Sequence, residues 1–165
     1  MNRPATLLVL LLAGLLAGCG GGSRPTGIRA AETPADDVAE YQPRWRSHTV
    51  DSTQYRKVFL AGTIDMGRSS DWQAALVARF RDSIGGRWLF FNPRRREFHA
   101  SPAEMEYQVA WELAHLEAAD LIVMNLLGDS RSPISLLEMG LYARSGKLFV
   151  ACSPDYYRYD NVRIT

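Results

Sequence analysis

Four short apolar runs separated by three helix-patterned stretches constrain this chain more than any other feature. Val58-Phe59-Leu60-Ala61, Trp88-Leu89-Phe90-Phe91, Asp120 to Leu126 and Leu148 to Cys152 are continuous apolar runs rather than alternating ones. Strands of that kind are buried on both sheet faces. Between them, Trp72, Leu76 and Phe80 recur at i, i+4, i+8 in a stretch that Asp71 can cap and Gly85-Gly86 stops. Ser101-Pro102 followed by Glu104 has the form of a capping box at a helix start, with Val109, Leu113 and Leu116 expected to face inward. Pro133 to Arg144 is a third helix, ended by Ser145-Gly146, and Asn161 to Thr165 starts like a fifth strand. Strands alternating with helices demand right-handed crossovers and a mainly parallel sheet of four to five strands. In such α/β folds ligands sit at the carboxyl ends of the strands. Chemistry is therefore expected at Gly62-Thr63-Ile64-Asp65, Asn92-Pro93-Arg94-Arg95, Leu127-Gly128-Asp129 and Ser153-Pro154-Asp155.

The residues ahead of this domain read differently. Met1-Asn2-Arg3 is a short positive segment, and the apolar run from Ala5 to Leu16 is too short to span a bilayer comfortably. Leu16-Ala17-Gly18-Cys19 resembles the lipobox of bacterial lipoproteins. That resemblance implies a signal peptide over 1–18, lipidation of Cys19, and stable anchoring by the acyl chains such proteins carry. Position 20 is Gly rather than an aspartate that retains such proteins at the inner membrane, so the expected location is the periplasmic face of the outer membrane. Gly20-Gly21-Gly22-Ser23 and the prolines at 25, 34 and 43 then predict a disordered tether over 19–54, with the folded domain at 55–165.

Without residues 1–18 the chain carries 18 basic and 18 acidic residues, a balance that leaves no electrostatic footprint for nucleic acid. Cys152 has no partner if Cys19 is a thioether, and its apolar strand marks it as a structural thiol rather than a nucleophile. His99 and His115 lack metal-ligand spacing, so no metal is expected. Gly62 is a lone glycine and makes no dinucleotide fingerprint, and no cofactor is expected.

Glu138 is the most informative side chain. It lies mid-helix among apolar residues, and a helix facing the core at Ile134, Leu137 and Leu141 would carry it beside that face. A buried, unpaired carboxylate costs several kcal/mol or raises its pKa. Either it pairs with an arginine such as Arg144 or Arg94, or it has a chemical task.

The run from Val58 to Thr165 resembles the nucleoside 2-deoxyribosyltransferase-like family. The matching pieces are Val58 to Asp65, Asp71-Trp72-Gln73, Asn92-Pro93-Arg94-Arg95, Gln108 to Leu113, Ala119 to Ile122 and Ser132 to Gly140. The resemblance implies a flavodoxin-like three-layer fold and cleavage of a nucleoside N-glycosidic bond by a glutamate in a Glu-x-Gly-x-Ala context. Glu138 and Gly140 match that context, while Ala143 comes one position late. By this resemblance Glu138 is the candidate nucleophile. Asp65 is the candidate acid, with Asp129 second, and Gly62, Thr63, Asn92, Arg94, Asp129 and Ser132 are candidate ligand contacts. Ser132 stands where characterised transferases have an aspartate that helps hold the base. Asn161, in Asp160-Asn161-Val162, resembles an asparagine that members lend to a neighbouring subunit. The implied partners are a nucleoside or nucleotide-like small molecule, the lipid bilayer through Cys19, and a second copy in a homo-oligomer. The competing expectation is a catalytically inactive ligand- or partner-binding module at the cell envelope.

Overall fold

The computed structural model describes residues 37–44, 50–99 and 101–165. Its centre is a five-stranded sheet built from β1 (Val38–Tyr41), β2 (Arg56–Gly62), β3 (Trp88–Phe91), β4 (Leu121–Leu126) and β5 (Leu148–Cys152). The order is β1-β3-β2-β4-β5, with every pairing parallel. The helices are α1 (Trp72–Ser83), α2 (Pro102–Ala118), α3 (Pro133–Tyr142) and α4 (Tyr159–Ile164). This is the expected α/β, flavodoxin-like arrangement.

The apolar runs become strands because each strand serves two cores. Val58, Leu60, Trp88, Phe90 and Val123 point to one face, where α1 covers them with Trp72, Leu76, Val77 and Phe80. Phe59, Ala61, Leu89, Phe91, Ile122, Met124 and Leu126 point to the other, under Leu116 of α2, Met139 of α3 and Tyr156. Asp71 caps α1 by accepting from the Ala74 N–H at 2.9 Å, and Ser101 caps α2 by accepting from the Glu104 N–H at 3.2 Å. The reciprocal half of the capping box is replaced: the Glu104 carboxylate takes Arg44 at 2.7 Å and Arg95 at 2.9 Å instead.

Three expectations are corrected. The tether expected over 19–54 contributes β1, which pairs along β3 from Val38↔Trp88 to Tyr41↔Phe91. An edge strand of four residues needs no apolar run of its own, and its one charge, Glu40, is held by the Asn92 and Gln42 amides at 2.7 and 2.9 Å. Cys19 and the lipobox lie outside the described residues. The fifth strand expected from Asn161 is α4, because Tyr159 and Val162 at i, i+3 pack under the sheet with Tyr156. The inward stripes are also different. Leu116 is buried, but Val109 and Leu113 are exposed, and so are Ile134, Leu137 and Leu141. The inner side of α3 is Ser135, Glu138 and Met139.

The reversal of strand order lies at β2. The chain moves to β3 through α1 on one face and returns past β2 to β4 through α2 on the other. The carboxyl ends of β2 and β4 therefore flank the topological switch point, where a crevice forms in open α/β sheets.

Candidate functional site

At that switch point the strand-end loops are joined through a row of hydroxyls. Thr63 Oγ1 lies 2.7 Å from Ser132 Oγ, which lies 2.8 Å from Ser130 Oγ, and Ser130 donates to Asp65 Oδ1 at 2.9 Å. Thr63 Oγ1 also accepts the Leu127 N–H at 3.0 Å. Thr63, Ser130 and Ser132 are all buried, so this row is rigid rather than solvated. Asp65, Met66 and Ser132 have φ of 49°, 54° and 40°. Three non-glycine residues in the left-handed region at one sheet end are a strained constellation of the kind that clusters at functional sites.

Gly62 was expected to let a ligand approach the backbone. Its absent side chain is required by the sheet itself: a Cβ there would lie 2.2 Å from the Asn125 carbonyl oxygen.

Arg94 is committed to the loop that carries Asp65. Its guanidinium donates to the carbonyls of Gly67, Ser69 and Ser70 at 3.0, 2.7 and 3.3 Å, to Ser69 Oγ at 3.3 Å and to Gln73 Oε1 at 3.4 Å. Its Nε faces Asp71 at 3.5 Å. With all its nitrogens engaged, it has little left for a ligand. Arg94→Ala is expected to lower stability by about 3 kcal/mol, because several carbonyls lose a charged donor at once. Arg94→Lys should recover little of this, since a single ammonium cannot span the same acceptors. Thermal melts of both variants check it.

The other candidates are placed as follows. Asn92 is buried, bridging Glu40 and the Arg94 N–H. Asp129 and Asn161 are exposed, Asp129 in the β4–α3 loop and Asn161 on α4. Cys152 is partly buried, and burial holds its thiol above the usual range, which suits a structural role.

Glu138 lies on the inner side of α3, 9% exposed. Among the described residues no hydrogen-bond donor and no cation engages its carboxyl. The arginine pairing fails because Arg94 is spent on its own loop and Arg144 is exposed at the end of the helix. Burial, with the Glu112 carboxyl as the second cause, pushes the Glu138 pKa up to about 8. Helical side chains lean toward the helix N-terminus, so Glu138 leans toward the strand ends and the hydroxyl row.

Sequence reasoning passed over Glu112. It stands on α2, and burial raises its pKa against the lowering effect of the Gln108 amide. Gln108 Nε2 donates to Glu112 Oε1 at 2.8 Å and to the Pro93 carbonyl at 3.1 Å. Gln108 Oε1 is buried with no donor, the one such side-chain atom among the described residues. A buried acceptor left empty costs on the order of 1–3 kcal/mol and marks a place for an incoming donor. The signal was present: Glu112 lies one turn before Leu116, the buried residue of α2. The structure thus brings Asp65 to Ser130, Ser132 and Thr63, and brings Glu112, rather than any residue singled out beforehand, near Glu138.

No helix among the described residues is long and apolar enough to cross a membrane. The family model described as nucleoside 2-deoxyribosyltransferase like matches residues 55–156, which takes in the sheet from β2 to β5, the hydroxyl row and both glutamates. No curated protein matches the chain.

Proposed function

The chain belongs to the nucleoside 2-deoxyribosyltransferase-like family, and on that premise we propose that it cleaves or transfers an N-glycosidic bond with Glu138 as nucleophile. The observation that carries the proposal is the unpaired Glu138 carboxyl, buried with the half-buried Glu112 acid acting on it. Two like charges that close do not ionise together, so the pair holds one proton over a range of pH and titrates as a unit.

That state suits the chemistry. A Glu138 carboxylate oxygen bonds to the anomeric carbon as the C–N bond breaks, and the bonding pair leaves with the base nitrogen. The proton shared by the pair rests on Glu138 until attack; it moves to Glu112 as the Glu138 oxygen bonds to the anomeric carbon, and from Glu112 it passes to the departing base. A second base or a water then displaces Glu138 from the anomeric carbon and surrenders its proton to Glu112. Asp65 is the second candidate for the acid; its Oδ1 is already occupied by Ser130. The vacant Gln108 Oε1 supplies an acceptor for an N–H or O–H of the ligand.

The test is release of free base from a panel of nucleosides by the full chain, followed against pH. Release should fall as pH rises past about 8, where the pair loses its last proton. Glu112→Gln should remove that alkaline limb, whereas Asp65→Asn should leave it in place. No release from any nucleoside would sink the proposal, and an unchanged profile in Glu112→Gln would remove Glu112 from it.

A second reading has a specific observation behind it. Ser132 Oγ is held by Thr63 and Ser130, so it offers the base less than a free aspartate would. A ligand-binding module without turnover accords with that, and calorimetric binding of a nucleoside with no product would favour it. For the cellular setting we keep the anchor at Cys19 and the outer-membrane, periplasmic location as proposals, tested by metabolic labelling with a tagged fatty acid and its loss in Cys19→Ser.

A further inference from the structure

We propose, on the role given to Glu112 and Glu138 above, that Arg44 is a positioning residue for that pair, acting through the opening turns of α2. Residues 37–44 lie outside the stretch that matches the family model. A strand at a sheet edge can do no more than cover its neighbour, but this one continues past its pairing with β3. The Tyr41 carbonyl accepts the Asn92 N–H at 2.8 Å, and Glu40 Oε1 accepts the Asn92 side-chain amide at 2.7 Å. Pro43 is buried, and Arg44, with φ of 64°, turns back onto α2. A side-chain-bearing residue stays in that left-handed region only where its surroundings hold it there. Here they do. Arg44 Nη2 donates to Glu104 Oε1 at 2.7 Å, its Cζ lies 3.7 Å from the centre of the Tyr107 ring, and its backbone N–H donates to the Tyr107 hydroxyl at 3.2 Å.

Those contacts lead to the proposed chemistry. Glu104, Tyr107 and Gln108 stand at i, i+3 and i+4, on one side of α2. Gln108 Nε2 donates both to the Pro93 carbonyl at 3.1 Å and to Glu112 Oε1 at 2.8 Å. One amide nitrogen thus spans the loop after β3 and the acid, and it can do so only while loop and helix keep their separation. Glu104 fixes that separation, since Arg44 takes one of its oxygens and Arg95, from the same loop as Pro93, takes the other at 2.9 Å. An exposed ion pair alone would hold little. A carboxylate shared by two guanidiniums, one of them stacked on an aromatic ring, is a network and holds more.

The experiment is a carboxyl-carbon NMR titration of the full chain in detergent, with labelled glutamate and the Glu112 resonance assigned by its loss in Glu112→Gln. The Gln108 amide lowers the Glu112 pKa against the effect of burial. Loosening that amide should therefore raise the Glu112 midpoint. Arg44→Ala, a change at an exposed residue, should raise it, and Gln108→Leu should raise it at least as far. In a Gln108→Leu background Arg44→Ala should add nothing, because its route to Glu112 is gone. Arg44→Lys, which keeps the charge without the planar stack, should fall between wild type and Arg44→Ala. The alkaline limb of base release should move up with the midpoint. An unmoved midpoint in Arg44→Ala, or the same rise with and without the Gln108 amide, would overturn the proposal. The titration needs no nucleoside, so a chain that releases no base would end the glycosidic proposal while the link from Arg44 to Glu112 is still decided by the midpoint.

Discussion

Glu138→Gln is expected to abolish base release and, at alkaline pH, to make the protein more stable. Loss of the nucleophile should lower turnover by roughly a thousandfold or more, since an amide cannot form the glycosyl bond in its place. The stability change follows from linkage. The Glu138 pKa lies near 8 in the folded chain against 4.5 for the ordinary group. A folded value above the unfolded one means that the stabilising contribution is complete below pH 4.5. It drains away as pH rises, and it is gone above about 8, where a charge must be kept buried. Glutamine fills the same space without that charge. Above pH 8.5 the variant should therefore be more stable by about 3 kcal/mol, or roughly 10 °C in Tm, and near pH 4 the two melts should coincide. Part of the difference belongs to Glu112, and Glu112→Gln should reproduce a fraction of it. A variant no more stable than wild type at high pH would mean that water reaches the Glu138 carboxyl freely, and the nucleophile assignment would lose its physical basis.

Gly62→Ala is expected to be the most damaging single-methyl change in the sheet. The added Cβ would lie 2.2, 2.6 and 2.8 Å from the Asn125 carbonyl oxygen, nitrogen and carbonyl carbon, and all three are backbone atoms that cannot swing aside. The backbone at Gly62 has φ of +116°, a region closed to side-chain-bearing residues. Relief requires β2 and β4 to separate at their carboxyl ends, the pairing that also carries Thr63 to the Asn125 carbonyl at 2.9 Å. The cost should exceed about 4 kcal/mol, a large share of what a domain of this size has to lose. Gly85→Ala, with nothing within 4 Å, should be nearly silent. Thermal melts of the two variants decide it, and a Gly62→Ala protein that melts like wild type would show that β2 and β4 are further apart than described.

The legible parts of this fold were those governed by local period. Trp72, Leu76 and Phe80 announce α1 because a helix that must bury one side repeats every three to four residues, and they are buried as expected. The caps at Asp71 and Ser101 were readable because a side-chain oxygen beside free N–H groups is a short-range requirement. β1 was not readable, because its four residues become a strand only when β3 is alongside. α3 was read as a helix but turned the wrong way. Ile134, Leu137 and Leu141 form an apolar stripe, and a stripe states that something will cover it without stating what. Glu112 was missed for the same reason, since its burial depends on α3 packing beside α2.

Sequence alone settled the alternation of strands and helices and the parallel sheet, and it picked out Glu138 as an acid set among apolar residues. These follow from hydrogen-bonding periods and the handedness of crossovers, which act over a few residues. Only tertiary structure decided which acid neighbours Glu138, that Gly62 serves strand packing, that Arg94 is consumed by its own loop, and which side of α3 meets solvent. Those are relations between segments far apart in the chain, and a carboxyl's proton affinity is set by what crowds against it rather than by the residues beside it in sequence.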